Sequence, residues 1–115
     1  MSRAFKKSSR LLEKADYGHV FKVGHRHHGK HFMVIVCKNG LETGRVGIAV
    51  SRKVSPRSVV RNRIKRQIRE SFRHKNNLLK GYDCVVVAKN AAAGIDRPTL
   101  RSSLDTHWRK ISDNA

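Results

Sequence analysis

The sequence predicts an α+β fold, a compact α/β sandwich in which about three helices pack on a small mixed sheet. Short apolar runs rich in β-branched residues occupy residues 32–37, 45–51 and 82–89, with turn residues between them. Segments with apolar residues three and four apart precede, separate and follow these runs. At 115 residues there is room for one modest core, so residues 1–115 read as a single domain.

Taken in order, residues 1–9 are polar and basic with only Phe5 as an anchor, and read as a flexible tail. A helix is expected over 10–23, carrying Leu12, Tyr17, Val20 and Phe21 and stopping at Gly24. Residues 25–31 could add a short strand before the Phe32 strand. A turn at 38–44 leads to the second strand, in which Val46, Ile48 and Val50 alternate. Ser55 and Pro56 are the capping and first-turn residues that open a helix over 56–75. Gly81 breaks the chain after it. The strand over 82–89 is apolar enough to lie in the centre of the sheet. Pro98 opens a last helix whose Leu100, Leu104, Trp108 and Ile111 form one apolar face.

Charge narrows the function. Lys and Arg number 26 against 8 Asp and Glu, a net charge of +18. Self-repulsion on that scale calls for a polyanionic partner, and the arginine fork suits phosphate oxygens. The longest apolar runs are too short to span a bilayer, and none follows the basic start as a secretory signal requires. A membrane partner is not expected. Cys37 and Cys84 lie inside apolar runs and read as core thiols of a reduced cytoplasm.

The charge is concentrated. Residues 52–75 hold ten basic residues and one acid, Glu70, giving +9, half the net charge of the chain. On a helix, Val60, Ile64, Ile68 and Phe72 form the buried stripe. Arg61, Lys65, Arg69 and Arg73 each follow by one residue, about 100° round the axis. Asn62 and Arg66 extend this second stripe, and Glu70, four residues after Arg66, is placed to pair with it. A row of like charges repels by a few tenths of a kcal/mol per pair, which a phosphate backbone would relieve. RNA is favoured over DNA, because no leucine heptads continue the helix as in a basic zipper.

Catalysis by the protein itself is not expected. The acids, Glu13, Asp16, Glu42, Glu70, Asp83, Asp96, Asp105 and Asp113, are scattered rather than clustered for divalent metals. His25, His27, His28 and His31 crowd one segment, with His25 and His27 on one face if it is a strand. They read as solvated or RNA-facing groups that gain charge near pH 6 and tighten RNA binding there. A Zn or Ni site is the alternative.

Two stretches, Gly47-Ile-Ala-Val-Ser-Arg-Lys53 and Arg61-Asn-Arg-Ile-Lys-Arg-Gln-Ile-Arg-Glu70, carry a family resemblance. With Asp16-Tyr17-x-x-Val20-Phe21-x-x-Gly24, the 82–89 strand and a last helix containing Trp108, the chain resembles the bacterial ribonuclease P protein subunit over nearly its whole length. The resemblance implies a left-handed βαβ crossover, against the usual handedness of such connections. It implies a cytoplasmic ribonucleoprotein that removes the 5′ leader of precursor tRNA. Its RNA subunit holds Mg²⁺ and does the chemistry, and the protein is a monomer, one per RNA, with no metal of its own.

The same resemblance places Arg52, Lys53, Arg61, Asn62, Arg63, Lys65, Arg66, Arg69 and Arg73 against that RNA. Tyr17 and Phe21 would meet the leader, together with Ile35, which stands where family members often carry an aromatic. Val54-Ser55-Pro56 also departs from the family, which often has glycine in the approach to the basic helix. A ribosomal or other structural RNA-binding protein is the main alternative. A self-sufficient nuclease and a DNA architectural protein are more distant ones.

Overall fold

Four strands form one sheet in the order β1-β2-β4-β3, built from β1 His25–His28, β2 Phe32–Lys38, β3 Arg45–Ala49 and β4 Tyr82–Ala88. The computed structural model describes Leu12 and residues 14–113. Among the described residues three α-helices accompany the sheet: α1 Lys14–Val23, α2 Ser58–His74 and α3 Arg97–Asp113. The expected α+β architecture is borne out.

β2 and β4 occupy the centre and pair antiparallel from Phe32 opposite Ala88 to Lys38 opposite Tyr82. Their β-branched residues are buried on both faces, as central strands require. β3 runs parallel to β4, so the chain must cross over between them, and α2 is that crossover. β1 forms the far edge.

On one face, Val34 and Val36 of β2, Val46 of β3, and Cys84 and Val86 of β4 carry two helices. α2 brings Ile64, Ile68 and Phe72, and α3 brings Leu100, Leu104, Trp108 and Ile111. Trp108 meets Phe72 edge-on, with ring centroids 5.8 Å apart, and its Nε1–H donates to Ser71 Oγ at 2.8 Å. The indole therefore buries its full area without orphaning its one polar group.

On the other face, among the described residues, one helix packs. Val20 of α1, with Leu12 and a partly buried Tyr17, packs over Ile35 and Val85. Gly24 permits the turn from α1 into β1, since an added Cβ would lie 2.4 Å from Val20 O and 2.5 Å from Ile35 Cγ2. Arg45 ties the layers together: it donates to both Asp83 oxygens, at 2.9 and 2.7 Å, and lies 3.6 Å from Asp16 of α1. Asn39 Nδ2 donates to the same Asp83 at 2.9 Å.

Several boundaries differ from expectation. The first helix begins at Lys14. Of the four earlier positions assigned to it, only Leu12 is described, and there the backbone N–H donates to Val46 O at 3.0 Å. The tail expected over 1–9 lies outside the described residues. α2 begins at Ser58, not at Pro56. Ser55 Oγ accepts the Arg57 N–H at 3.2 Å and so shapes the bend before the helix rather than capping it. β3 ends at Ala49, short of Ser51. Both cysteines are free, and burial raises the pKa of each, Asp83 adding to the effect, which leaves them weakly nucleophilic.

Candidate nucleic-acid interface

α2 is buried along one stripe and charged around the rest. Ile64, Ile68 and Phe72 are buried, together with Gln67 and Ser71. Asn62, Arg63, Arg66, Arg69 and Arg73 are exposed, and Arg61 and Lys65 are half-buried at the border of the stripe. The helix thus has two cationic flanks. Arg61, Lys65 and Arg69 follow the apolar stripe on one side, Arg63 lies on the other towards α3, and Arg66 stands between the two.

Arg52 and Lys53 are exposed in the turns after β3, beside a buried Val54 and a buried Ser55. Arg61 Nη1 donates to Ser55 O at 3.0 Å, which holds this loop against the first turns of the helix. The loop and the flank thereby make one continuous cationic surface.

Glu70 does not pair with Arg66. Its carboxylate accepts from Arg73 Nη2 at 2.8 Å and lies 3.7 Å from His74 Nε2, and the bond to Arg73 holds its pKa below the usual value. Residues three apart on a helix are neighbours as close as those four apart, and the arginine reaches back to the acid. Arg66 is exposed and has no acid partner among the described residues.

The three residues assigned to a leader separate. Phe21 keeps 36% of its surface exposed on α1. Arg26 Nη2 donates to Phe21 O at 3.4 Å, which brings a cation beside the ring's own backbone. Tyr17 is half-buried, and its hydroxyl accepts the Ile48 N–H at 2.9 Å. Ile35 is a correction: it is fully buried beneath α1 with Val20 and Val85 and offers a leader nothing to touch. Its strand alternation points it into the second core. Met33, Cys37 and Val87, half-buried at the borders of that core, reach the surface on this face, as do Arg26 and His28 of β1. The sequence signal for Met33 was the two-residue period from Ile35.

The histidines scatter as β1 alternates. His25 and His27 do share a face, ring centroids 5.0 Å apart, on the α3 side of the sheet. His28 points to the opposite side, and His31 is buried with Nδ1 3.2 Å from Ser103 Oγ. Desolvation, then the neighbouring His25, lowers the pKa of His27. The segment therefore does not act as one cationic cluster. Among the described residues no three His, Cys, Asp or Glu side chains converge as metal ligands.

An α+β sandwich whose crossover helix is arginine-rich along its exposed side defines a class of small, strongly basic protein. The sequence pattern of the Ribonuclease P family matches residues 5–112. The chain belongs to that family. It is 38% identical over 112 residues to the ribonuclease P protein component of Aliivibrio fischeri, covering 97% of this chain and 96% of that one. It is 35% identical to the Pseudomonas aeruginosa component over 119 residues, covering 99% and 85%. The Staphylococcus aureus RNase P protein superposes with a TM-score of 0.81 at 35% identity, covering 92% of this chain and 96% of that one. The Thermotoga maritima protein does so with 0.79 at 32%, covering 88% and 96%. No helix among the described residues is long and apolar enough to cross a membrane.

Proposed function

We propose that this chain is the protein subunit of a ribonucleoprotein ribonuclease P, which removes the 5′ leader from precursor tRNA by hydrolysing one phosphodiester bond in the cytoplasm. The observation that carries this is α2, whose buried stripe seats it on the sheet while its cationic surface stays open. Family membership supplies the reaction.

In this reading the catalytic RNA lies against Arg52, Lys53, Arg61, Asn62, Lys65 and Arg69, with Arg63, Arg66 and Arg73 reaching further round the helix. Their charge replaces counterions condensed on the RNA, so that association is driven by ion release and falls steeply with salt. The leader passes the partly covered sheet face. There Phe21 supplies a stacking surface, and Tyr17, held by its bond to Ile48, borders it. Hydrolysis belongs to the RNA and the Mg²⁺ it holds. The protein contributes charge and positioning, as a monomer with one copy per RNA.

The test is leader removal from a precursor tRNA at low Mg²⁺, comparing this protein, a bacterial ribonuclease P RNA, and both together. Strong cleavage only with both supports the reading. No stimulation of a matched RNA would reduce the chain to a structural RNA binder. Cleavage by the protein alone would overturn the assignment of chemistry to the RNA.

A further inference from the structure

Arg63, on the α3-facing flank of α2, stands opposite Lys65 of the basic stripe. Arg63 and Lys65 point about 160° apart at 100° per residue, across a helix about 10–12 Å wide. One RNA strand lying along Arg61 and Lys65 cannot also run along Arg63, while Arg66, about 60° from Arg69, stands at the boundary between the two flanks. The second flank is not plain surface, because it forms one wall of a groove bounded across from it by Arg97 at the start of α3. Val59, Val60, Arg63, Arg66 and Gln67 line it from α2, and Arg97 lines it from the start of α3.

Arg101, one turn further along α3, donates its Nε–H to Oε1 of the buried Gln67 at 3.0 Å. That bond spends one of five donors and fixes the plane of the guanidinium, leaving its two terminal nitrogens for a ligand. None of the residues lining the groove is acidic. The nearest acid along α2, Glu70, is bonded to Arg73, and Asp96, just before α3, accepts the Thr99 N–H at 3.0 Å. Val59 is 64% exposed on the same wall, an apolar contact for a sugar or base amid the cations.

We propose that this groove between α2 and α3 is a second phosphate-binding surface, in which Arg63, Arg66, Arg97 and Arg101 hold a stretch of RNA backbone separate from the one on the Arg61–Lys65–Arg69 flank. α2 is then a wedge between two RNA segments rather than a rod lying on one. The inference rests on the proposed RNA partnership and adds α3 to the interface, a helix whose periodicity shows only its core face.

Arg97 is exposed and makes no side-chain bond in the described structure, so Arg97→Glu tests the groove without disturbing the fold. The experiment measures ribonuclease P RNA affinity across a salt series, with hydroxyl-radical footprinting of the RNA, for Arg97→Glu, for Lys65→Ala/Arg69→Ala, and for the two combined. Arg101→Ala serves as a second groove variant, accepted if its thermal midpoint stays near that of the parent. The expected result is roughly tenfold weaker binding for Arg97→Glu, with a flatter salt dependence. Its loss of RNA protection should fall in a different stretch from that of Lys65→Ala/Arg69→Ala, and the two effects should multiply. Unchanged affinity for both groove variants, with a loss for Lys65→Ala/Arg69→Ala, overturns the groove and leaves the RNA partnership standing. Loss of the same protected stretch in both sets overturns the claim of a separate segment. Full affinity in every variant would sink the proposed function as well.

Discussion

The Tyr17 ring lies directly on Gly47: a Cβ added at Gly47 would stand 2.7 Å from Tyr17 Cζ and 2.9 Å from its hydroxyl oxygen. That hydroxyl accepts the N–H of Ile48, the next residue of β3. β3 is an edge strand, and two of its outward groups are taken by α1 and the segment before it: Ile48 N–H by Tyr17, and Val46 O by Leu12. These bonds cover part of an edge that would otherwise be open for pairing, and the Tyr17 contact ties α1 to the sheet. The position of Phe21, one turn along α1, depends on it.

Gly47→Ala should therefore push Tyr17 off β3 and cost about 1–3 kcal/mol, the usual range for overpacking. Tyr17→Phe keeps the ring and orphans only the Ile48 N–H, at roughly 1 kcal/mol for a half-buried group. Urea unfolding of both variants checks this. Equal stability of Gly47→Ala and the parent would show that α1 shifts without cost.

Phe21→Ala should weaken binding of precursor tRNA to the assembled ribonucleoprotein by about 1–3 kcal/mol, the range of one base stacked on an aromatic ring. Binding of mature tRNA and of the catalytic RNA should stay near the parent values. If all three fall together, Phe21 is holding α1 in place rather than touching the leader.

How far the sequence reached depends on what each residue answers to. The α2 stripe was legible because Ile64, Ile68 and Phe72 obey a helical period and a sheet awaits them, a local signal with a local consequence. Ile35 was misassigned because membership of a strand does not say which face a single helix will cover. The pairing of Glu70 with Arg73 instead of Arg66 turned on side-chain reach, which spacing alone does not rank. Arg45 with Asp83, and Arg101 with Gln67, were invisible: each joins residues more than thirty positions apart, and only the parallel register of β3 and β4 or the packing of α3 on α2 brings them together.

His107 predicts how stability varies with pH. Its ring is buried beneath α3, against Gly29, and bonded to the backbone of Phe32, with His27, Lys89 and Lys110 as its charged or titratable neighbours. Desolvation, the largest effect, pushes its pKa down to about 4 from 6.5. The unfolded chain then binds the extra proton first, so stability is full above pH 6.5 and falls as pH drops towards 4. The loss amounts to at most about 3 kcal/mol, and the lowered pKa of His27 acts in the same direction. Thermal midpoints of the parent and His107→Gln, taken from pH 7.5 to 4.5, should converge at the acid end. Parallel curves would place the titration elsewhere.

Glu70 and Arg66 supply the sharpest test of the charged surface. Arg66 has no acid partner among the described residues, whereas Arg73 is held by Glu70, the only carboxylate on α2. Arg66→Ala should lower the salt dependence of RNA binding by about one unit, as expected for one lost phosphate contact. Glu70→Gln should do the opposite. It removes a charge that repels phosphate and releases Arg73 to bind it, so affinity should rise a few-fold and the salt dependence should steepen. Combining Glu70→Gln with Arg73→Ala should cancel the steepening, since the released cation is gone. If Glu70→Gln instead weakens RNA binding, the Glu70–Arg73 pair is itself the recognised feature, and the arginine must be presented to the RNA by the acid.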